Sequence, residues 1–138
     1  VIDLTSELTA VAGDLELTGD PEHAGVQFRP AQEVADNKSA KYTFHADEVD
    51  PTKQLDLPWV ACTFKIDGED WTVQHISHPS NPTGARWSAY RDYGRFGPFP
   101  VIKIGKGETQ KLQFRFRVTK GKSPAREELA KSAADYTS

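Results

Sequence analysis

At 138 residues the chain has room for one domain with a real core and none for a second. Hydrophobic residues at 37% and charged residues at 27% are ordinary for a folded chain and argue against bulk disorder. The formal net charge of -3 supplies no general attraction to nucleic acid or anionic lipid, and no apolar run approaches the roughly 20 residues that span a bilayer.

A chain that begins at Val1, with no methionine anywhere and no signal-peptide pattern, reads as processed or excised from something longer. Short alternating or β-branched stretches follow one another to about residue 119, broken by Gly, Pro and Asp, which is the all-β pattern. Residues 2–11, 15–18, 25–29 and 41–46 are the first strands, with Gly13-Asp14 and Gly19-Asp20-Pro21 as breaks. Asn37-Lys38-Ser39 is a sequon, whereas Asn81-Pro82-Thr83 is barred by its proline. Between Trp59 and Ile76 the spacing predicts a hairpin: Val60, Cys62, Phe64 and Ile66 share one face, and Asp67-Gly68 begins the reversal. Cys62, the single cysteine, excludes an internal disulfide and sits among apolar neighbours as a small core residue. From Lys111 to Thr119 the alternation is strict, with Leu112, Phe114, Phe116 and Val118 on the buried side and a basic solvated side opposite. Ser123-Pro124 then opens a helix over about 124–135, with the serine hydroxyl at the N-cap, Glu127 and Glu128 in the first turn and a Glu127 to Lys131 pair. Roughly seven or eight strands on this spacing make an antiparallel β-sandwich with a short C-terminal helix.

Two blocks carry a resemblance: GDPEHAGVQFRPAQEVAD at residues 19–36 and SHPSNPTGARWSAYRDYGRFG at residues 77–97, with LPWVACTF between them. Together they resemble a bacterial family known as methane oxygenase PmoA-like, of which this chain would be the C-terminal half to two-thirds. The resemblance implies a larger outline similar to the galactose mutarotase-like supersandwich, a secreted or periplasmic setting and a carbohydrate as ligand. A membrane-embedded monooxygenase subunit is not implied, because the chain has no long apolar helices. If half a sandwich is missing, the chain is expected to expose apolar surface or sheet edges that a homodimer or a partner segment covers.

The candidate site residues fall in the same blocks. Prolines around Ser80-Asn81 force a turn beyond a strand end, and the residues after it carry the planar polar and aromatic groups that grip sugars: Asn81, Arg86, Trp87, Arg91, Asp92 and Tyr93. The structural reading of those residues has Arg91 and Asp92 in ion pairs, with Trp87, Tyr93 and Phe96 in the core. In the first block, Gln27 and Arg29 would project from one strand face as a sugar or carboxylate cradle. Glu33 as general base and His78 as general acid would serve a mutarotase-like or lyase-like proton transfer, and Glu33 with Asp92 would be the carboxylate pair for glycoside hydrolysis. The plainer alternative joins Glu33 to Arg29 and makes His23 a turn cap. No cofactor is expected. Were a zinc or copper ion held, His23, His75, His78 and Asp92 would be its ligands, and His75 and His78 would meet only if the chain turns between them. Phosphate loops, serine elbows, CxxC and HExxH motifs are all missing from the sequence. The leading expectation is a carbohydrate-binding or carbohydrate-modifying protein. A structural module needing a partner domain and a metal-dependent oxidase stay open beside it.

Overall fold

The computed structural model describes residues 1–138, and most of its regular structure is strand. A five-stranded antiparallel sheet forms the frame, from β1 (Ile2–Thr9), β3 (Lys41–Phe44), β4 (Trp59–Ile66), β5 (Glu69–Ser77) and β9 (Thr109–Lys120), in the order β1-β9-β5-β4-β3. Two short ribbons lie outside it: β2 (Leu15–Leu17) with β8 (Ile102–Ile104), and β6 (Arg86–Trp87) with β7 (Pro98–Phe99). The helices are α1 (Gln32–Asn37) and α2 (Arg126–Thr137), and no helix is long and apolar enough to cross a membrane.

Period-two alternation splits the sheet into two buried faces. Val60, Cys62, Phe64 and Val73 pack under α1 and the residues flanking the β6–β7 ribbon, with Val34, Trp87, Ala89 and Phe96 above them. Farther along the same face Leu112 and Phe114 meet Ile102 and Ile104 of the β8 ribbon. On the reverse face α2 lays Leu129 and Ala133 over Trp59, Ala61 and Ile76. Gln74 on that face donates from Nε2 to the Leu129 carbonyl at 2.8 Å, which fixes the helix along its axis. The result is a sandwich-like all-β fold: one large sheet, a loop-rich second layer and a C-terminal helix behind.

The β4–β5 turn forms as its sequence dictates. Asp67 and Gly68 both have positive φ, 51° and 75°, the conformation that a two-residue type I′ turn requires. Elsewhere the expectations shift. Residues 25–29 do not form a strand; only Phe28 pairs, with Phe96, in an isolated bridge. Gly25 has φ +75°, and a Cβ there would stand 1.9 Å from the Pro98 carbonyl oxygen, so the backbone at this point lies against another backbone and not in a ladder.

The C-terminal helix starts later than expected, behind Ala125 with no side-chain cap. Ser123, the expected cap, instead accepts a hydrogen bond from Thr63 Oγ1 at 3.1 Å. Lys131 pairs with Asp135 and not Glu127, while Glu128 reaches Arg117. The basic side of β9 is therefore not free: Arg115 holds Asp3 through two bonds of 2.6 and 2.7 Å, which keeps that carboxyl below its usual range. Val118, expected inside, is 46% exposed.

Candidate functional site

The sheet ends where β5 runs into the proline turn, and there the structure builds a small cleft. Residues 78–82, the 56–58 turn, Trp87 and the last turn of α2 enclose about 210 Å³. Pro79 and Pro82 fix the turn, and Asn81 locks it onto β9. Its Nδ2 donates to the Gln113 carbonyl at 2.7 Å and to Ser77 Oγ at 3.0 Å, while its Oδ1 accepts the Gln113 N–H at 2.8 Å. Both amide hydrogens of Asn81 and its oxygen are engaged in holding the loop, so it is a wall of the cleft.

His78 sits on that wall. The Ser80 backbone N–H donates to its Nδ1 at 3.1 Å, and Ser80 Oγ lies 2.7 Å from the same atom. A nitrogen that accepts from a backbone N–H carries no proton of its own, so the neutral ring bears its hydrogen on Nε2. No protein group bonds that Nε2, and Tyr136 of α2 packs its ring edge-on at 5.6 Å. Trp87, 1% exposed, lines the same cleft, and its indole N–H is buried with no acceptor in the protein. Asp56 completes the polar set. Its two oxygens accept the N–H groups of Gly84 and Ala85 at 2.9 and 2.8 Å, leaving further lone pairs unused. The cleft is thus lined by His78, whose Nε2–H has no protein acceptor, and by a carboxylate that can still accept, while the Trp87 N–H is sealed from solvent behind its wall.

Other candidate residues are scattered. Glu33 belongs to α1 and accepts the Asp67 N–H with both oxygens, at 3.2 and 3.1 Å, so it caps the β4–β5 turn and does not join Arg29. His78 follows the opposite end of β5, a nine-residue strand, which separates the two by about 26 Å at 3.3 Å per residue. Glu33 and His78 therefore cannot serve one substrate as base and acid. Neither Glu33 nor Asp92 lines the cleft that holds His78, and Asp92 is exposed and makes no ion pair.

Gln27 and Arg29 form no cradle, since the strand expected to carry them is not there. Gln27 is structural: it donates to the Ala24 carbonyl at 2.8 Å and accepts from Ser88 Oγ at 2.8 Å, while Arg29 is exposed. Arg86 lies over the Phe99 ring at 4.9 Å. Arg91 makes no ion pair; it donates to the Pro21 carbonyl at 3.2 Å and lies 4.9 and 5.9 Å from the Tyr90 and Tyr93 ring centres. That surface is braced by Tyr42, whose hydroxyl donates to the Arg91 carbonyl at 2.7 Å.

The four candidate metal ligands do not converge. His75 is fully buried on the second-layer face, ringed by Trp87, Phe96, Phe114 and Phe116, with Nε2 2.9 Å from the Val26 carbonyl. Desolvation holds its pKa down at about 4, so it is a neutral donor to that carbonyl. His78 lies beyond the strand end against the helix on the other face, and His23 pairs with Asp20 on the surface; Asp20, not His23, caps the turn, accepting the Glu22 and His23 N–H groups. No three His, Cys, Asp or Glu side chains meet as a metal-binding group. Cys62 is a core residue whose thiol burial pushes up to about 12.

Sequence reasoning named His78, Asn81 and Trp87 but not Asp56, and it saw Trp87 only as a ring. Asp56 joins the cleft through hydrogen bonds 28 and 29 residues along the chain, which no local pattern announces.

No curated protein and no solved structure matches the chain. Residues 1–134 match a family described as a family of unknown function (DUF6807), and the chain belongs to it.

Proposed function

We propose that this chain is a carbohydrate-binding protein, of the PmoA-like kind that its two sequence blocks resemble, and that the cleft of His78, Trp87 and Asp56 receives a single sugar unit. One observation carries the reading: His78, with an N–H that has no protein acceptor, lines the same small cleft as a carboxylate with spare lone pairs. A hydroxyl group both accepts and donates, so it matches that set, whereas an anion would be repelled by Asp56. The cleft's volume of about 210 Å³ is below the 300–1,000 Å³ of clefts that take drug-sized ligands, which favours one ring over an oligosaccharide. The proposed role is binding, because the acid and base expected at His78 and Glu33 lie at opposite ends of β5.

Titration calorimetry with a panel of mono- and oligosaccharides tests the proposal. A saturable monosaccharide signal is expected, weakened about two- to tenfold by His78→Phe, which keeps a ring and removes the donor. No heat with any sugar, or equal affinity in the variant, would refute it.

A second reading, an interaction module, is favoured by the apolar strip left on the sheet. Ile2 and Leu4 are 60% and 37% exposed on the face that Val118 shares. Light scattering after size-exclusion chromatography decides it: a stable monomer that does not aggregate goes against this reading.

A further inference from the structure

A second cleft, sharing no residue with the first, opens between β1, the β2–β8 ribbon and residues 19–26, and encloses about 380 Å³. Native interiors hold few voids larger than a water molecule. This one is equivalent to roughly a dozen waters at about 30 Å³ each, so it is not a packing fault.

Its floor is rigid. A Cβ on Gly25 would stand 1.9 Å from the Pro98 oxygen, and one on Gly97 would stand 2.1 Å from the Val26 oxygen. The segments 24–26 and 97–99 therefore touch backbone to backbone. The buried His75 ring bonds the Val26 carbonyl at 2.9 Å and anchors that floor to the sheet. Collapse of the floor into the space is blocked, and the opposite wall is β1, held to β9 along its whole length.

Leu8, Val26, Ile102, Leu112 and Phe114 make the lining apolar. Only two side-chain hydroxyls reach it, those of Ser6 and Thr18, and neither bonds another group of the protein. A preformed cleft of this size, mostly apolar with one or two fixed polar groups, is the usual form of a small-molecule site.

We propose that this cleft binds a compact, uncharged amphiphile: an aliphatic or aromatic body against Leu8, Leu112 and Phe114, with one hydroxyl or carbonyl at Ser6 and Thr18. The absence of any charged lining residue excludes a carboxylate or ammonium head inside it. Affinity comes from apolar area, and the hydroxyls set orientation.

The test uses the straight-chain alkanols from butanol to octanol, followed by amide chemical shifts of the folded chain. Saturable shifts are expected at Val26, Leu112 and Phe114. Dissociation constants should tighten roughly fourfold per added methylene until the cleft is full, then level off. Leu17→Trp, placed at the rim, should abolish the shifts with the remaining spectrum unchanged. Ser6→Ala should weaken each alkanol about two- to tenfold. Shifts that do not saturate, constants independent of chain length, or binding unaltered by Leu17→Trp would overturn the proposal. So would the same amides shifting with protein concentration alone, which would assign the cleft to a second copy of the chain.

Discussion

Acidification should destabilise this fold through His75, and substitution by leucine should remove that sensitivity. The imidazole is fully buried and its pKa falls from 6.5 to about 4 through desolvation. A group whose folded pKa is depressed resists protonation in the fold, so its contribution is complete above 6.5 and is lost as pH falls towards 4. Linkage over that gap amounts to roughly 3 kcal/mol in full, of which about 2 kcal/mol is gone by pH 5. Against a total stability of about 5–15 kcal/mol this is a large share. The assay is urea unfolding followed by tryptophan fluorescence at pH 7 and pH 5, for the parent chain and His75→Leu. At pH 7 the variant is the less stable, since it leaves the Val26 carbonyl unpaired in the core. At pH 5 its deficit should shrink by about 2 kcal/mol. The exposed carboxylates held low by their partners, Asp3, Asp20 and Asp50, are common to both proteins and cancel. A deficit of the same size at both pH values would show that His75 is not a desolvated neutral ring and would refute the reasoning.

Asn81→Ala removes three hydrogen bonds that clamp the proline turn to β9; a loss of about 1–3 kcal/mol in urea unfolding is expected, together with weaker sugar binding. Gly25→Ala should be far more damaging than Gly13→Ala, because only the first drives a methyl into a carbonyl oxygen, at 1.9 Å, and needs positive φ; thermal melts of the two should differ by well over the few degrees that about 1 kcal/mol produces. Leu129→Ala empties the contact between α2 and the sheet, where Leu129 is fully buried, and should cost about 2–5 kcal/mol while leaving the β-sheet circular dichroism in place.

What could be read ahead of the structure divides by the range of the forces involved. The β4–β5 hairpin was legible because Asp67-Gly68 is nearly the only kind of pair that tolerates two positive φ angles. The strict alternation in β9 likewise located its buried face, although Val118 lies past the covering layer and ends exposed. Of the second layer, β2 was legible as the strand over 15–18, and the rest was not. Strands of two or three residues such as β6, β7 and β8 carry too few side chains for a period, and Leu15 meets Ile104 only because the chain returns. The helix cap failed for a related reason: Thr63, sixty residues upstream, claims the Ser123 hydroxyl. In the site, His78, Asn81 and Trp87 come from one proline-rich block and were found together. Glu33 was misassigned because its true partner is a backbone N–H 34 residues away. Pairings of that kind leave no mark in residue spacing.

The position of β9 has a consequence for how the chain is made. β1 pairs with nothing but β9, and Arg115 lies 112 residues after the Asp3 that it holds. At a synthesis rate of 5–20 residues per second the first strand waits roughly 6–22 seconds for its partner. Throughout that interval Ile2, Leu4 and Leu8, which share one side of β1 in the finished sheet, lack their β9 partner, and an unpaired apolar segment of this kind is prone to pairing with the wrong chain. Asp3 and Glu7, interleaved among them, place charge on the strand during the wait, and one of the two becomes an ion-pair partner only when β9 arrives. The same carboxylate thus protects the nascent strand first and fastens the finished sheet afterwards.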